Sequence, residues 1–423
     1  MTLAGASEEI ATMSSTLAAL QPGCVSLVVP AFNEERGIGA VIERALPLRR
    51  ALAGLGLGFE MLVVDDGSHD QTAEVVSQYR EVRLVRHPHN RGYGAAIKTG
   101  FRHASGDLLA FVDADGTYPP ESLPDLCRAA LEDQADLVIG SRMSGAKSEM
   151  PLTRRVGNLA YSVLLSLIGN TVVRDTCSGM RLLRKDSLER LYPLPDGLDF
   201  TPAMSTRAIH ENLKVVEVPI PYSERVGRSK LNVVRDGFRF TNSIVWTALA
   251  YNPVRILGLT GLAALALAAI IGAAVVVMRL NGITSLDPLG VFSLYAALVL
   301  GFCGVSAFSL GATFNYLTSL FHKRAVRRGL FGKPLFNPSL DHQFGWMGLA
   351  TVVAGLLFGL ASLILSLNGW PVTRLWFYLL ASVSLILVGI QLGVSWIVMR
   401  TLEQLSTRDV AAQCDLGVRA QRK

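Results

Sequence analysis

The chain has 423 residues, half of them hydrophobic and 17% charged, with 40 Lys and Arg against 34 Asp and Glu and a mean hydropathy of +0.37. That apolarity is high for a purely soluble protein. Five scattered cysteines, without CxxC spacing or neighbouring histidine pairs, argue against a disulfide framework and against a zinc site.

Residues 1–23 have neither a basic n-region nor a strong apolar h-region, so they are expected to form a mobile arm and not a cleaved signal. Residues 24–230 read as one cytosolic α/β domain. Val-rich runs bounded by turn residues recur as VSLVVPAF (25–32), FEMLVVDDG (59–67), VRLVRH (82–87), LLAFVDAD (108–115) and DLVIGSR (136–142), and helical stretches separate most of them. This alternation predicts βαβ units, a mainly parallel sheet and helices on both faces. Ligands bind such sheets outside the carboxyl ends of the strands. Three of the strands end there in PAFNEE (30–35), DDGSHD (65–70) and DADG (113–116).

In LLAFVDADGTYPPE, an extended chain would put Asp113 and Asp115 on one side, where they repel. A solvated turn explains this segment taken alone. Asp65, Asp66, Asp113 and Asp115 together, at neighbouring strand ends, call for hydrogen-bond donors or a hard cation. Mg²⁺ or Mn²⁺ takes one or two carboxylates and completes its shell with water and substrate phosphate oxygens. Glu34 and Asp65, set further back, suit ribose hydroxyls and base N–H groups. NRGYGAAIKTG (90–100) places glycines ahead of a helix, where backbone amides can approach an anion, although a plain loop explains it equally well.

Residues 140–240 hold 16 Lys and Arg against 10 Asp and Glu, a surplus suited to anionic headgroups or a phosphorylated lipid. Within that region, Val156, Leu159, Ala160, Val163, Leu164, Leu167 and Ile168 repeat at helical spacing after a basic start. They predict an interfacial helix over about 153–169, with a second over 231–254; a core helix is the alternative for each. Residues 255–400 form a membrane domain, because 256–278, 288–321, 344–367 and 375–399 contain no charged residue and each is long enough to cross a bilayer. The loop HKRAVRRGLFGK between the second and third runs is basic. Its charge is expected to put this loop, the α/β domain, the N-terminus and the 401–423 tail on the cytoplasmic side of an integral inner or plasma membrane protein.

The order PAFNEE, DDGSHD, DAD resembles a family 2 glycosyltransferase. The continuation GSR, RDTCSGMRLLRKD and RVGRSKLN resembles more narrowly the polyprenol-phosphate sugar transferases, the dolichol-phosphate mannosyltransferase group. The resemblance covers about residues 24–280. It implies an A-type, Rossmann-like glycosyltransferase domain followed by four transmembrane helices. It also implies transfer, with inversion, of a sugar from GDP-mannose or a UDP-hexose to a polyprenyl phosphate. Pro30, Phe32, Glu34 and Asp65 would hold the nucleoside, and Asp113 and Ala114 the ribose and diphosphate. Asp115 would ligate Mg²⁺ or Mn²⁺, and Arg142, Arg225 and Lys230 would meet the acceptor phosphate. Asp115 and Arg142 would carry the catalysis. Members commonly have a glutamine metal contact where this chain has Thr117, which is expected to contribute through its hydroxyl or a water.

The rivals are a processive polysaccharide synthase, which normally shows a QxxRW string absent here, transfer to a lipid hydroxyl, and a non-catalytic nucleotide-binding membrane protein. The basic residues flank apolar helices, so no nucleic-acid partner is expected. A homo-oligomer is compatible with everything above.

Overall fold

A computed structural model describes residues 23–144, 150–169, 172–223, 233–281, 288–322 and 340–415. The chain divides into two compact units, Met1–Thr247 and Ala248–Lys423.

The first unit is built on a sheet of β1 (Cys24–Ala31), β2 (Gly58–Asp65), β3 (Val82–Arg86), β4 (Leu108–Val112), β5 (Leu137–Ser141), β6 (Met180–Arg184) and β7 (Val215–Pro219), in the order β3-β2-β1-β4-β6-β5-β7. The β1/β2, β2/β3, β1/β4 and β5/β7 pairs are parallel, as the alternating pattern predicts. β6 runs antiparallel to both β4 and β5. β1 and β4 are near-continuous apolar runs because both of their faces are covered.

Ahead of β5 the helices are α1 (Ile38–Ala45), α2 (Leu48–Ala53), α3 (Thr72–Ser77), α4 (Tyr93–His103) and α5 (Leu123–Glu132). α4 lies so close on β1 that a Cβ at Gly100 would stand 2.2 Å from Val28 Cγ1, which is why the helix carries a glycine there. One expectation is corrected at β4. The strand stops at Val112, and Asp113, Ala114 and Asp115 leave it in a turn that Gly116 closes at φ +75°. The relation of the two carboxylates is therefore set by a turn and not by the two-residue period of a strand.

After β5 come α6 (Leu152–Gly169), α7 (Leu188–Leu191), α8 (Phe200–His210) and α9 (Val233–Tyr251). α6 is amphipathic in the reverse of the usual sense. Leu152, Val156, Leu159, Val163 and Leu167, one stripe at helical spacing, are 52–76% exposed. The buried side carries Asn158 and Ser162 alongside Leu165. Asn158 Nδ2 donates to the Arg174 carbonyl at 2.9 Å and Ser162 Oγ to the Val173 carbonyl at 2.7 Å. A soluble helix turns its apolar stripe to the core; this one turns it outward and uses polar groups to hold the 173–177 segment. Phe238 and Trp246, also largely exposed, extend the apolar surface along α9, on which Tyr161 of α6 packs through its hydroxyl bond to the Gly237 carbonyl.

The second unit contains α10 (Pro253–Leu280), α11 (Pro288–His322), α12 (Leu340–Leu367) and α13 (Val372–Asp415). Four segments, Pro253–Met278, Pro288–Ser319, His342–Leu367 and Phe377–Leu405, are long and apolar enough to cross a membrane. α10 meets α11, and α12 meets α13, at facing glycines. A Cβ on Gly261 would lie 2.6 Å from the Gly304 carbonyl oxygen, and one on Gly389 2.6 Å from that of Gly348. In lipid, where apolar surface alone gives helices no reason to associate, such close backbone contact supplies the packing.

Candidate active site

The segments after β1 and β2 are zipped together by side-chain to backbone bonds. Asn33 N–H donates to Ser68 Oγ at 2.9 Å and His69 N–H to Asn33 Oδ1 at 2.8 Å. Glu34 N–H donates to Thr72 Oγ1 at 2.9 Å and Glu35 N–H to Asp70 Oδ2 at 3.2 Å. Asn33 takes the left-handed conformation, φ +51°, that turns the chain between the strand and α1. The loop also abuts the DAD turn, since a Cβ at Gly37 would be 2.9 Å from the Ala114 carbonyl oxygen. Pro30, Phe32, Glu34, Asp65 and the DAD residues are thereby gathered at the carboxyl ends of β1, β2 and β4.

Asp65 closes β2 and is fully buried. Its Oδ1 accepts the Ser68 N–H at 3.0 Å. Its Oδ2 is buried with no hydrogen-bond donor among the described residues, and the Arg86 guanidinium stands 3.4 Å away, at ion-pair range only. Leaving a buried carboxylate oxygen without a donor is costly unless a ligand supplies one. Asp66, which the sequence groups with the cation-binding acids, has another task. It accepts from Arg91 N–H at 2.9 Å and Gly92 N–H at 2.8 Å and pairs with His87 Nδ1 at 2.6 Å, fastening the glycine-rich loop to β2.

In the DAD turn, Tyr93 donates its hydroxyl to Asp113 Oδ1 at 2.6 Å. Burial, and then the charge of Asp113, push the Tyr93 phenol well above its usual value, so it stays a donor. Asp115 Oδ1 accepts from both the backbone N–H (3.1 Å) and the hydroxyl (2.6 Å) of Thr117. The Thr117 hydroxyl thus orients Asp115 from two residues away. No group of three or more His, Cys, Asp or Glu side chains forms a cage among the described residues. Mg²⁺ and Mn²⁺ need none, since one or two carboxylates with water and phosphate oxygens suffice. The Asp113/Asp115 turn, its carboxylates already oriented by Tyr93 and Thr117, fits such an ion, and Asp115 would hold it.

Arg142 follows β5 and is nearly buried. It forms a two-pronged pair with fully buried Asp175, Nε to Oδ2 at 2.8 Å and Nη2 to Oδ1 at 2.7 Å, while its own N–H donates to Oδ2 at 2.8 Å. The guanidinium lies over Tyr118 and Tyr222 at 5.6 and 5.3 Å. Among the described residues Nη1 has no hydrogen-bond acceptor. Arg142 can thus offer an anion its charge and one N–H edge, since its two-pronged fork is taken by Asp175. Arg225 and Lys230 lie outside the described residues.

Reasoning from sequence missed three participants. Asp175 locks Arg142. Gly179 lets β6 pass beneath the DAD turn, where a Cβ would sit 2.2 Å from Asp113 Oδ2. Arg181 is wholly buried, donates to the carbonyls of Thr176 (2.6 Å) and Ser178 (3.1 Å), and is drawn down to about 10 by burial. The available signal was the string RDTCSGMR, whose separate residues carry no roles until β6 is paired.

Residues 26–192 match the family model described as Glycosyl transferase family 2, and residues 253–413 match a domain of unknown function, DUF8752. The chain is 34% identical over 230 residues to the low-salt glycan biosynthesis hexosyltransferase Agl6 of Haloferax volcanii, covering 54% of each protein. It is 31% identical over 224 residues to the dolichyl-phosphate beta-glucosyltransferase ALG5D of Trichomonas vaginalis, covering 49% of this chain and 68% of that one. It is 27% identical over 313 residues to the undecaprenyl-phosphate 4-deoxy-4-formamido-L-arabinose transferase of Edwardsiella ictaluri, covering 73% and 92%. The chain spans about half the length of Agl6.

Proposed function

Because this chain belongs to glycosyl transferase family 2, we propose that it moves a sugar from a nucleotide-sugar to a polyprenyl phosphate, with inversion and with the help of Mg²⁺ or Mn²⁺. The observation that carries the reading is Asp65 Oδ2, a buried carboxylate oxygen that has Arg86 at ion-pair range but no hydrogen-bond donor among the described residues, at the strand ends where the DAD turn also arrives. A base N–H supplies what that oxygen lacks. Glu34 accepts from the ribose, and Asp113 and Ala114 border the diphosphate. Asp115 would hold the divalent ion, whose chemistry when bound would be to offset charge on the leaving diphosphate.

An oxygen of the acceptor phosphate forms the new bond to the anomeric carbon. The bond from that carbon to the diphosphate breaks, and its electron pair leaves with the nucleoside diphosphate. The attacking phosphate is already an anion, so no general base is needed. Arg142 Nη1, Arg225 and Lys230 hold it beside a second anion, a job for guanidinium and ammonium groups. α6 links this end of the site to lipid: its inner face grips the segment that carries Asp175, and its outer stripe suits an acyl boundary. Large apolar side chains left in water forfeit about 1.5–3 kcal/mol each relative to burial.

The deciding assay uses membranes containing the protein, undecaprenyl or dolichyl phosphate or the matching alcohols, and radiolabelled GDP- and UDP-sugars with Mn²⁺ or EDTA. One donor is expected to label the lipid phosphate, and EDTA to stop it. Labelling of the alcohol instead would move the reading to a hydroxyl acceptor, and labelling of neither would remove it. The outward stripe gives a second expectation. Leu159→Glu with Val163→Glu should raise the KM for lipid phosphate about tenfold or more, the equivalent of one lost apolar contact. Donor affinity should not move. An unchanged acceptor KM would show that the stripe faces no lipid.

A further inference from the structure

Tyr93 touches the site only through its hydroxyl bond to Asp113, and the transfer itself assigns it no task. It opens α4, and the chain on either side of it is closely held. Arg91 and Gly92 give their N–H groups to Asp66, and Ala95 N–H donates to the Asp196 carbonyl at 3.1 Å. Space there is tight, since a Cβ on Gly92 would lie 2.4 Å from that same Asp196 oxygen and one on Gly94 2.3 Å from the Pro195 carbonyl oxygen. Gly92 also stands at φ +106°, which a side chain would strain. The phenol is therefore delivered by backbone anchored at both ends of its turn. It meets Asp113 Oδ1 at 2.6 Å, while the bare Cα of Gly179, just ahead of β6, closes on Asp113 Oδ2.

We propose that Tyr93 is a positioning residue that sets the Asp113 carboxylate in the orientation the donor diphosphate requires. The inference rests on the nucleotide-sugar reading. A carboxylate beside a diphosphate is helpful or harmful according to which way its oxygens face, and a terminal carboxylate torsion is broad and soft unless something grips it. A hydrogen bond to a charged oxygen is the stronger kind and gives that grip. The nucleoside end, built by Asp65 at the end of β2 and Glu34 in the loop after β1, does not depend on it. The effect is therefore selective for the diphosphate.

The test uses the full chain in detergent, with uridine, guanosine, and the Mn²⁺ complexes of UDP and GDP as probes. Tyr93→Phe keeps the ring and removes only the hydroxyl. It should weaken whichever Mn²⁺·diphosphate binds about tenfold, the scale of one charge-assisted hydrogen bond, and leave the affinity of its nucleoside unchanged. In an Asp113→Asn background the same change should cost nothing further, because the group it positions has lost its charge. Equal weakening of nucleoside and diphosphate, no weakening at all, or a full tenfold loss in the Asp113→Asn background would each overturn the positioning role. A wild-type chain that binds no Mn²⁺·nucleotide would instead overturn the donor reading on which it rests.

Discussion

Asp115→Asn is expected to lower sugar transfer about 10³-fold, the upper range for removing one group that stabilises developing charge. Asparagine is the informative replacement because it isolates charge from shape. Asp115 Oδ1 receives the Thr117 N–H and hydroxyl, and an amide oxygen accepts both bonds, so the turn between β4 and Pro119 survives. The anion offered to a divalent ion is lost, and about 4 kcal/mol of barrier corresponds to the expected fall in rate. The measurements are radiolabelled transfer under saturating donor, and nucleoside binding together with thermal midpoint as controls; the controls should match wild type. Transfer that persists in Asp115→Asn, with Mn²⁺ present and EDTA still inhibitory, would place the metal on another group.

Asp175→Ala carries the largest expected effect on stability. The side chain is fully buried and takes three hydrogen bonds from Arg142 alone, and its removal leaves a guanidinium nearly buried between Tyr118 and Tyr222 without its counter-charge. Removing one member of a buried pair costs about 3–5 kcal/mol, mostly as the penalty of the charge left behind. For a unit of this size that lowers the thermal midpoint by roughly 10 °C. Replacing both members, Arg142→Met with Asp175→Leu, should recover most of that loss, since well-packed apolar pairs often match buried ion pairs. Transfer should nevertheless stay low in the double variant, because the Nη1 edge proposed for the acceptor phosphate has gone. Normal transfer by a stable double variant would reduce Arg142 to architecture.

The two variants probe parts of the site that differed in how legible they were. Asp115 could be singled out from the chain alone, because the acid at a strand end sits in a local motif and its partner Thr117 is two residues away. Asp175 could not. Its contact with Arg142 spans 33 residues and exists only because β6 enters the sheet backwards between β4 and β5. MRLLR also misleads a binary reading. Arg181 looks like an outward-facing surface residue, yet it is wholly buried, with Nε and Nη2 answered by the carbonyls of Ser178 and Thr176 and Nη1 left without a partner among the described residues. Asp66 shows the same dependence: its call for hydrogen-bond donors is answered by Arg91, Gly92 and His87, which only the fold brings to it.

What the chain alone determines follows from local physics. The four spans follow from bilayer thickness and the absence of charge, the parallel order of β1 to β4 from the alternation of strand and helix, and the gathering of PAFNEE, DDGSHD and DAD from the geometry of such sheets. The outward stripe of α6 was likewise readable as a periodicity, but its direction was not. Helical spacing says that one face is apolar, and only packing says which face meets the protein. Here Asn158 and Ser162 win the inner side by hydrogen-bonding backbone that no helix or strand partner satisfies. Tertiary structure decided the rest, namely the grip on Asp113, the lock on Arg142 and the burial of Asp65 Oδ2 with no hydrogen-bond donor among the described residues. Each depends on pairing groups far apart in sequence, where the cost of burying polar atoms selects one arrangement among many that composition allows.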